Sequence, residues 1–345
     1  MKAILYYGPE NISYEETQIK PLSKGEILVK VESALTCGTD VKTYRRGHPV
    51  LIKSVPSGFG HEFAGTVAKI GDGVTKFKVG DRVVAANSAP CGECFYCKRE
   101  EYNLCEKLDL LNGAYAQYIV IPPRIVEKNT LIIPDNLSTD KAAFCEPLAN
   151  VVHGAARTDI KPNQTVGIIG IGPIGLMFAR VAKLKGARVI VAGRNSIKLK
   201  LAEEFAHADE IVDLKKYPNP EKIFRDFSDE RKGLDVVVEC VGLPEIWEMA
   251  FSCVRPGGTV HFFGGCKSGS TVNFDTTKMH YGDIKLMSVF HHTPKYFREA
   301  LDLISSGEIE VEKLITDTLP LEKVEYAMKQ HIAGNAIKFL IKPNC

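Results

Sequence analysis

The sequence predicts an α/β protein in two parts: a doubly wound parallel sheet with helices on both faces, and a separate β-rich part. Three observations lead there. A chain of 345 residues exceeds one ordinary core, so about two domains are expected. Residues 1 to about 147 hold short runs rich in Val, Ile and Tyr, separated by Gly, Pro and Asp turns. After Pro162-Asn163-Gln164 the pattern changes to strands alternating with helices, which implies a parallel sheet.

The expected strands of the first part are KAILYY, EILVKVESAL, GTVAKIG, DRVVAA and AYAQYIVIP, several of them alternating apolar and polar residues as half-buried strands do. In the second part TVGII precedes a helix over about 175–185. RVIVA, a helix through LKLAEEFA, EIVDL, DVVVEC and TVHFFG follow. After about residue 290 come a helix, YFREALDLISSG, and a closing strand, AIKFLIK. The expected boundaries are 1–147, completed by 291–345, for the β-rich domain and 148–290 for the parallel-sheet domain.

Composition removes several function classes. With 45% hydrophobic and 25% charged residues the chain reads as globular, and a net charge of +2 without a basic tract argues against nucleic acid as a partner. MKAILYYGPE holds no apolar run of signal-peptide length, and no stretch approaches the roughly 20 apolar residues of a membrane span. A cytoplasmic protein without a membrane partner is expected. In that compartment ten cysteines point to metal ligands or buried thiols rather than disulfides.

Four of the ten lie in CGECFYCKREEYNLC, as Cys91, Cys94, Cys97 and Cys105. Short Cys-x-x-Cys steps let successive thiolates converge on one tetrahedral Zn²⁺. Iron–sulfur clusters use similar spacings. A redox pair would need two cysteines, not four. A closed four-thiolate zinc holds a loop and has no open position for chemistry, so this is a structural site.

VGIIGIGPIGLMFARVAKLKG contains Gly170, Gly172 and Gly175 as G-x-G-x-x-G, between an apolar strand and a helix whose Ile174, Met177, Phe178, Val181 and Ala182 share one face. Gly170 allows the turn, Gly172 lets the backbone approach a pyrophosphate at the helix N-terminus beside Pro173, and Gly175 lets helix and strand pack closely. The next strand, RVIVAGRNSIKLK, ends in Gly193-Arg194 where an NAD site places Asp or Glu. Gly193 should leave room for a 2′-phosphate, Arg194 can pair with it through two donors, and Lys198 adds charge one turn on. NADP(H) is therefore expected over NAD(H), and exchanging Gly193 for Asp and Arg194 for Ala should reverse the preference.

In GFGHEFAG, His61 and Glu62 are adjacent among glycines, whereas neighbours on a strand face opposite sides. With this stretch, "CGTD" (37–40), the four-cysteine lobe, "EPLANVVHG" (146–154), "GIGPIG" (170–175) and "VVECVG" (237–242), the chain resembles the zinc-dependent medium-chain alcohol dehydrogenases. The resemblance is to their polyol (sorbitol/xylitol-type) and threonine dehydrogenase branch, and it covers essentially the whole length.

That resemblance implies a GroES-like catalytic domain beside a Rossmann domain, two zincs per chain and a nicotinamide cofactor. Cys37, His61 and Glu62 would bind the catalytic zinc, with Glu146 binding directly or through water. Thr39 would begin proton removal from the substrate, and Asp40 would orient His61. Thr39, Asp40, Glu62 and Glu146 are the groups it ties to catalysis. Val241 and Gly242 would complete the cofactor site. Lys42 stands where the family's proton relay often ends in a histidine. Cys145, beside Glu146, is a competing third ligand. His153, in a helix, reads as a buried core histidine.

The substrate implied is a polar secondary alcohol (a polyol, cyclitol or amino-alcohol) that Thr43, Tyr44, Arg45, Arg46, His291 and His292 could meet, although Thr43 stands where polyol relatives often carry tyrosine. Two other readings are an NAD-dependent polyol or threonine-type enzyme, and a zinc-ribbon binding protein without redox activity. An intact cofactor loop and the lack of a basic face count against the second. A homodimer or homotetramer formed through an edge strand in IKLMSVF would cover an otherwise bare apolar edge.

Overall fold

The structure is a computed structural model that describes residues 1–48, 51–217 and 219–345. It divides into two compact units, Met1–Ala149 with His292–Cys345, and Asn150–His291. No helix among the described residues is long and apolar enough to cross a membrane.

The first unit is built on a seven-stranded sheet. Its order runs Thr130–Ile132, Arg82–Ala85, Glu62–Ile70, Ile27–Leu35, Lys338–Lys342, Ile315–Pro320, with Tyr118–Ile121 also paired to Ile27–Leu35. The C-terminal strand is thus drawn into the N-terminal sheet, Leu340 opposite Leu35 and Leu35 opposite Glu62. A three-stranded sheet of Asn11–Glu16, Lys2–Gly8 and Ser57–Gly58 lies alongside. The core between them is apolar: Ile27, Val29, Val31, Val83 and Ile341 are buried, and within it Tyr6 stacks on Phe59, which Tyr115 meets edge-on. Several helices of this unit were not foreseen, Gly38–Arg46, Pro123–Asn129, Thr139–Ala142 and Val324–Ile332 among them.

The second unit is a six-stranded parallel sheet in the order Glu210–Asp213, Arg188–Gly193, Thr165–Ile169, Leu234–Glu239, Val254–Phe262, Lys285–Met287. The strands read as near-continuous apolar runs because both faces are covered. Thr165–Ile169 is wholly buried. The chain winds outward from that strand to one edge, then restarts beside it with Leu234–Glu239. This reversal is the switch point where such sheets bind ligands, at the carboxyl ends of the strands. Pro220–Phe227 and Pro244–Cys253 are further helices, each with Pro at its first turn.

Candidate functional site

Cys37 is the N-cap of the helix Gly38–Arg46. Its Sγ accepts from Thr39 N at 3.4 Å, and Asp40 Oδ2 accepts from Cys37 N at 3.0 Å, a reciprocal cap that satisfies two otherwise orphaned donors. CGTD is therefore a helix start that fixes a thiol and a carboxylate within one turn. Asp40 Oδ1 lies 3.0 Å from His61 Nδ1, a charge contact outside hydrogen-bond geometry that leaves Nε2 as the ring nitrogen not engaged by Asp40. Burial works to lower the pKa of His61, but Asp40 and then Cys37 together more than offset this and hold it well above the ordinary value.

The strand Glu62–Ile70 begins only at Glu62, and His61 stands in the turn before it, after Gly60 at φ +86°. The alternation of strand faces therefore does not apply to this pair. One ligand atom from each of Cys37, His61 and Glu62 lies within 4.8 Å of the others. Glu62 is completely buried. Its Oε2 accepts from Lys338 Nζ, and its Oε1 has no hydrogen-bond partner among the described residues. Burial pushes its pKa up to about 7; Lys338 pulls it down and Glu146 pushes it up. A half-buried thiol, a buried imidazole nitrogen and a carboxylate oxygen without a partner among the described residues form the donor set of a zinc site with an open position, and these residues fit that ion.

Glu146 stands outside this trio. Its Oε1 is 3.7 Å from His292 Nε2, which also lies 3.1 Å from Asn87 Oδ1. Cys145 is turned into the core, fully buried, with its Sγ donating to Phe297 O at 3.0 Å. Thr39 is partly exposed. Two of the polar candidates for the substrate are otherwise engaged. Thr43 Oγ1 donates to Thr39 O at 2.8 Å, and Tyr44 OH donates to Glu325 Oε1 at 3.1 Å. Lys42, Arg45 and Arg46 are exposed, and His291 accepts at its backbone oxygen from His153 Nδ1 at 2.6 Å.

Two partners of the site went unnoticed in the sequence. Lys338, 1% exposed, reaches Glu62 across the central strand and also donates to Thr36 O at 2.9 Å. Tyr115, in what reads as plain strand, donates its hydroxyl to Asp40 Oδ2 at 2.6 Å.

The thiols of Cys91, Cys94, Cys97 and Cys105 converge within 4.8 Å, all unoxidised. Cys91 and Cys97 sulfurs are 3.8 Å apart, Cys94 and Cys105 3.9 Å. Tetrahedral zinc with Zn–S of about 2.3 Å requires sulfurs about 3.8 Å apart, so the cage fits the ion. Backbone N–H groups support thiolates here: Glu93 N and Cys94 N each donate to Cys91 Sγ at 3.4 Å. The Glu93 N–H leads the effects that lower the Cys91 pKa to about 6. Lys128 Nζ donates to Cys91 O at 2.9 Å and Lys107 Nζ to Glu93 Oε1 at 3.2 Å, while Arg99 lies over the Phe95 ring.

In the parallel-sheet unit, Gly170–Gly175 joins the strand Thr165–Ile169 to the helix Pro173–Leu184, with Gly172 as N-cap and Pro173 and Ile174 in its first turn. A Cβ on Gly175 would lie 1.8 Å from Gly170 O, so only glycine permits this approach. The helix N-terminus, with its unpaired N–H groups, suits a pyrophosphate. Arg194 is exposed after the strand Arg188–Gly193. Burial lowers the pKa of Lys198, and no carboxylate offsets it. Gly193 does not open a space: a Cβ there would meet Ile171 Cδ1 at 2.2 Å. Val241 and Gly242 follow the strand Leu234–Glu239 and are held by Glu239, whose Oε1 accepts from their N–H groups at 2.5 and 2.8 Å.

A doubly wound sheet with a glycine phosphate loop, joined in one chain to a largely buried Cys-His-Glu cluster and a four-cysteine lobe, defines a zinc-binding, nicotinamide-linked oxidoreductase. Comparison with known proteins agrees. The Alcohol dehydrogenase GroES-like domain matches residues 23–135, and the Zinc-binding dehydrogenase domain matches 173–306. Sorbitol dehydrogenase of Bacillus subtilis (strain 168) is 32% identical, over 100% of this chain and 98% of its own. A zinc-binding dehydrogenase of Sinorhizobium meliloti 1021, solved bound to NADP, is 31% identical with TM-score 0.91 over 99% of each chain. An alcohol dehydrogenase of Escherichia coli CFT073, complexed with NADH, is 28% identical with TM-score 0.88, again over 99% of each chain. The chain belongs to the zinc-dependent medium-chain alcohol dehydrogenase family, in its polyol dehydrogenase-like branch.

Proposed function

We propose that this oxidoreductase passes a hydride between a polar secondary alcohol (a polyol, cyclitol or amino-alcohol) and NADP(H), giving the ketone. Residues 1–147 with 291–345 form the catalytic domain and 148–290 the dinucleotide-binding domain. The observation that carries the reading is the convergence of Cys37, His61 and Glu62 ligand atoms within 4.8 Å, with Glu62 Oε1 lacking a partner among the described residues. The similarity to a sorbitol dehydrogenase supports the polyol class.

Cys37, His61 and Glu62 would hold the catalytic zinc, and Glu146, which lies outside that trio but acts on Glu62 electrostatically, would bind directly or through water. Zinc there supplies Lewis-acid polarisation of the substrate oxygen. Asp40 keeps the proton of His61 on Nδ1 and so fixes the orientation of the ring. Thr39, two residues past the thiol and partly exposed, takes the substrate's hydroxyl proton. With Lys42 at the usual relay position, that proton leaves through water or a cofactor ribose hydroxyl. Cys91, Cys94, Cys97 and Cys105 would hold a second, structural zinc.

The cofactor preference rests on Arg194 and Lys198, because the strand that ends at Gly193 offers no ribose-binding carboxylate. Since Ile171 fills the space over Gly193, an aspartate there would disturb packing as well as charge. Arg194→Ala alone is the cleaner test. Losing a charge-assisted pair worth about 1.5–3 kcal/mol should raise the KM for NADP⁺ by about 10- to 100-fold and leave that for NAD⁺ within about twofold. The sheet edge Lys285–Met287, near exposed Tyr281 and Phe290, supports assembly into a dimer or tetramer.

The direct experiment is NADP⁺ and NAD⁺ reduction with a panel of polyols, cyclitols, amino-alcohols and simple secondary alcohols, with and without a chelator. Activity on polar alcohols that falls with metal removal and returns with zinc is expected. Activity indifferent to confirmed metal removal would contradict the proposal.

A further inference from the structure

We infer that Tyr115 is a positioning residue of the Cys37–His61–Glu62 cluster: its hydroxyl fixes the Asp40 carboxylate, which in turn orients the His61 ring. The inference rests on the proposed reading of that cluster as the catalytic zinc site.

Tyr115 is wholly buried, and its hydroxyl sits 2.6 Å from Asp40 Oδ2 and 3.1 Å from Leu35 O. Burial and then Asp40 raise the phenol's pKa well above its ordinary value, so the phenol stays protonated and its single proton goes to the nearer, charged acceptor. Asp40 Oδ2 thereby receives two donors, Tyr115 OH and Cys37 N at 3.0 Å, while Oδ1 faces His61 Nδ1 at 3.0 Å. With the cap bond alone the carboxylate could still swing about its Cβ–Cγ bond. The phenol pins Oδ2, and with it the direction of Oδ1 and the plane of the imidazole.

The phenol is itself held firmly. Tyr115 N donates to Phe59 O at 2.9 Å, and Gly113 N and Ala114 N both donate to Gly60 O, at 2.7 and 2.9 Å. The segment that carries the phenol is therefore stapled to the turn that carries His61. Its ring meets Phe59 edge-on at 5.5 Å. A Cβ on Gly60 would lie 2.7 Å from the Tyr115 ring, so the glycine before the histidine is what admits the phenol beneath the site. The glycine frame of GFGHEFAG thus serves two ends: a positive φ that breaks the strand, and room for a buttress.

The test compares zinc affinity of the full-length wild type, Tyr115→Phe, Asp40→Asn and the double variant by chelator competition. The relevant zinc is the one that Cys37→Ser abolishes. Loss of a ligand-orienting partner costs about 10- to 100-fold in metal affinity, so Asp40→Asn should weaken binding by that much and Tyr115→Phe by about tenfold. The double variant should be no worse than Asp40→Asn alone, because the phenol acts only through the carboxylate. Cobalt substituted at the same site should show a shifted visible spectrum in Tyr115→Phe. A Tyr115→Phe affinity within twofold of wild type, or effects that simply multiply in the double variant, would overturn the inference. Absence of any zinc sensitive to Cys37→Ser in the wild type would instead overturn the reading of the cluster itself.

Discussion

Lys338→Met should lower the stability of the metal-free protein while tightening its hold on zinc. Lys338 is 1% exposed and Glu62 is fully buried, so the pair sits in a low-dielectric interior. Methionine matches the length of the lysine stem but leaves the Glu62 carboxylate without its cation. Removing one partner of a buried pair costs about 3–5 kcal/mol. If Glu62 faces the metal, bound zinc supplies a replacement charge, and the loss in the loaded protein should shrink to about 1–2 kcal/mol. Linkage then converts the difference, about 2 kcal/mol, into zinc affinity about 30-fold tighter than wild type. The assay is urea unfolding of chelator-treated and zinc-loaded protein, with chelator competition for the affinity, always beside wild type. Equal destabilisation with and without zinc would show that Glu62 is only a salt-bridge partner, and its place among the ligands would fall.

Two further expectations follow. His261 is fully buried, its Nδ1 2.6 Å from Thr158 Oγ1 and its Nε2 without a partner among the described residues, and burial pushes its pKa down to about 4. A base depressed from its ordinary 6.5 supplies stability that is present above about pH 6.5 and lost as pH falls toward 4, about 2 kcal/mol between pH 7 and pH 5. His261→Leu should flatten that part of the urea-midpoint profile, and an unchanged slope would refute it. In the four-cysteine lobe, Cys94→Ser removes one thiolate of the cage and should cut zinc by one equivalent per chain and speed proteolysis between residues 91 and 105. Unchanged zinc content by elemental analysis would refute the cage.

What could be read from the sequence was what spacing encodes locally. The steps between Cys91, Cys94, Cys97 and Cys105 and the glycines of Gly170–Gly175 act over a few residues, and both appear in the structure as compact local units. The alternation after Pro162 sufficed for the parallel sheet, because its central strands are buried on both faces and read as apolar runs. The helix Gly38–Arg46 was hidden because its cap is a cysteine rather than Ser, Thr, Asp or Asn. Lys338 lies 276 positions from Glu62, and only the pairing of the last strand with Ile27–Leu35 brings them together. Tyr115 looked like one more strand aromatic, since nothing local announces that its hydroxyl meets Asp40 75 positions away. The space expected at Gly193 depended on Ile171, a side chain whose direction no spacing specifies.

The central claim is that Cys37, His61 and Glu62 hold a divalent ion distinct from the one in the four-cysteine lobe. Anomalous diffraction at the zinc edge, from crystals of zinc-loaded protein, tests it most directly. Two peaks per chain are expected, one inside the lobe and one about 2.3 Å from the sulfur of Cys37 and about 2.0 Å from Nε2 of His61. A single peak confined to the lobe, under saturating zinc, would contradict the account.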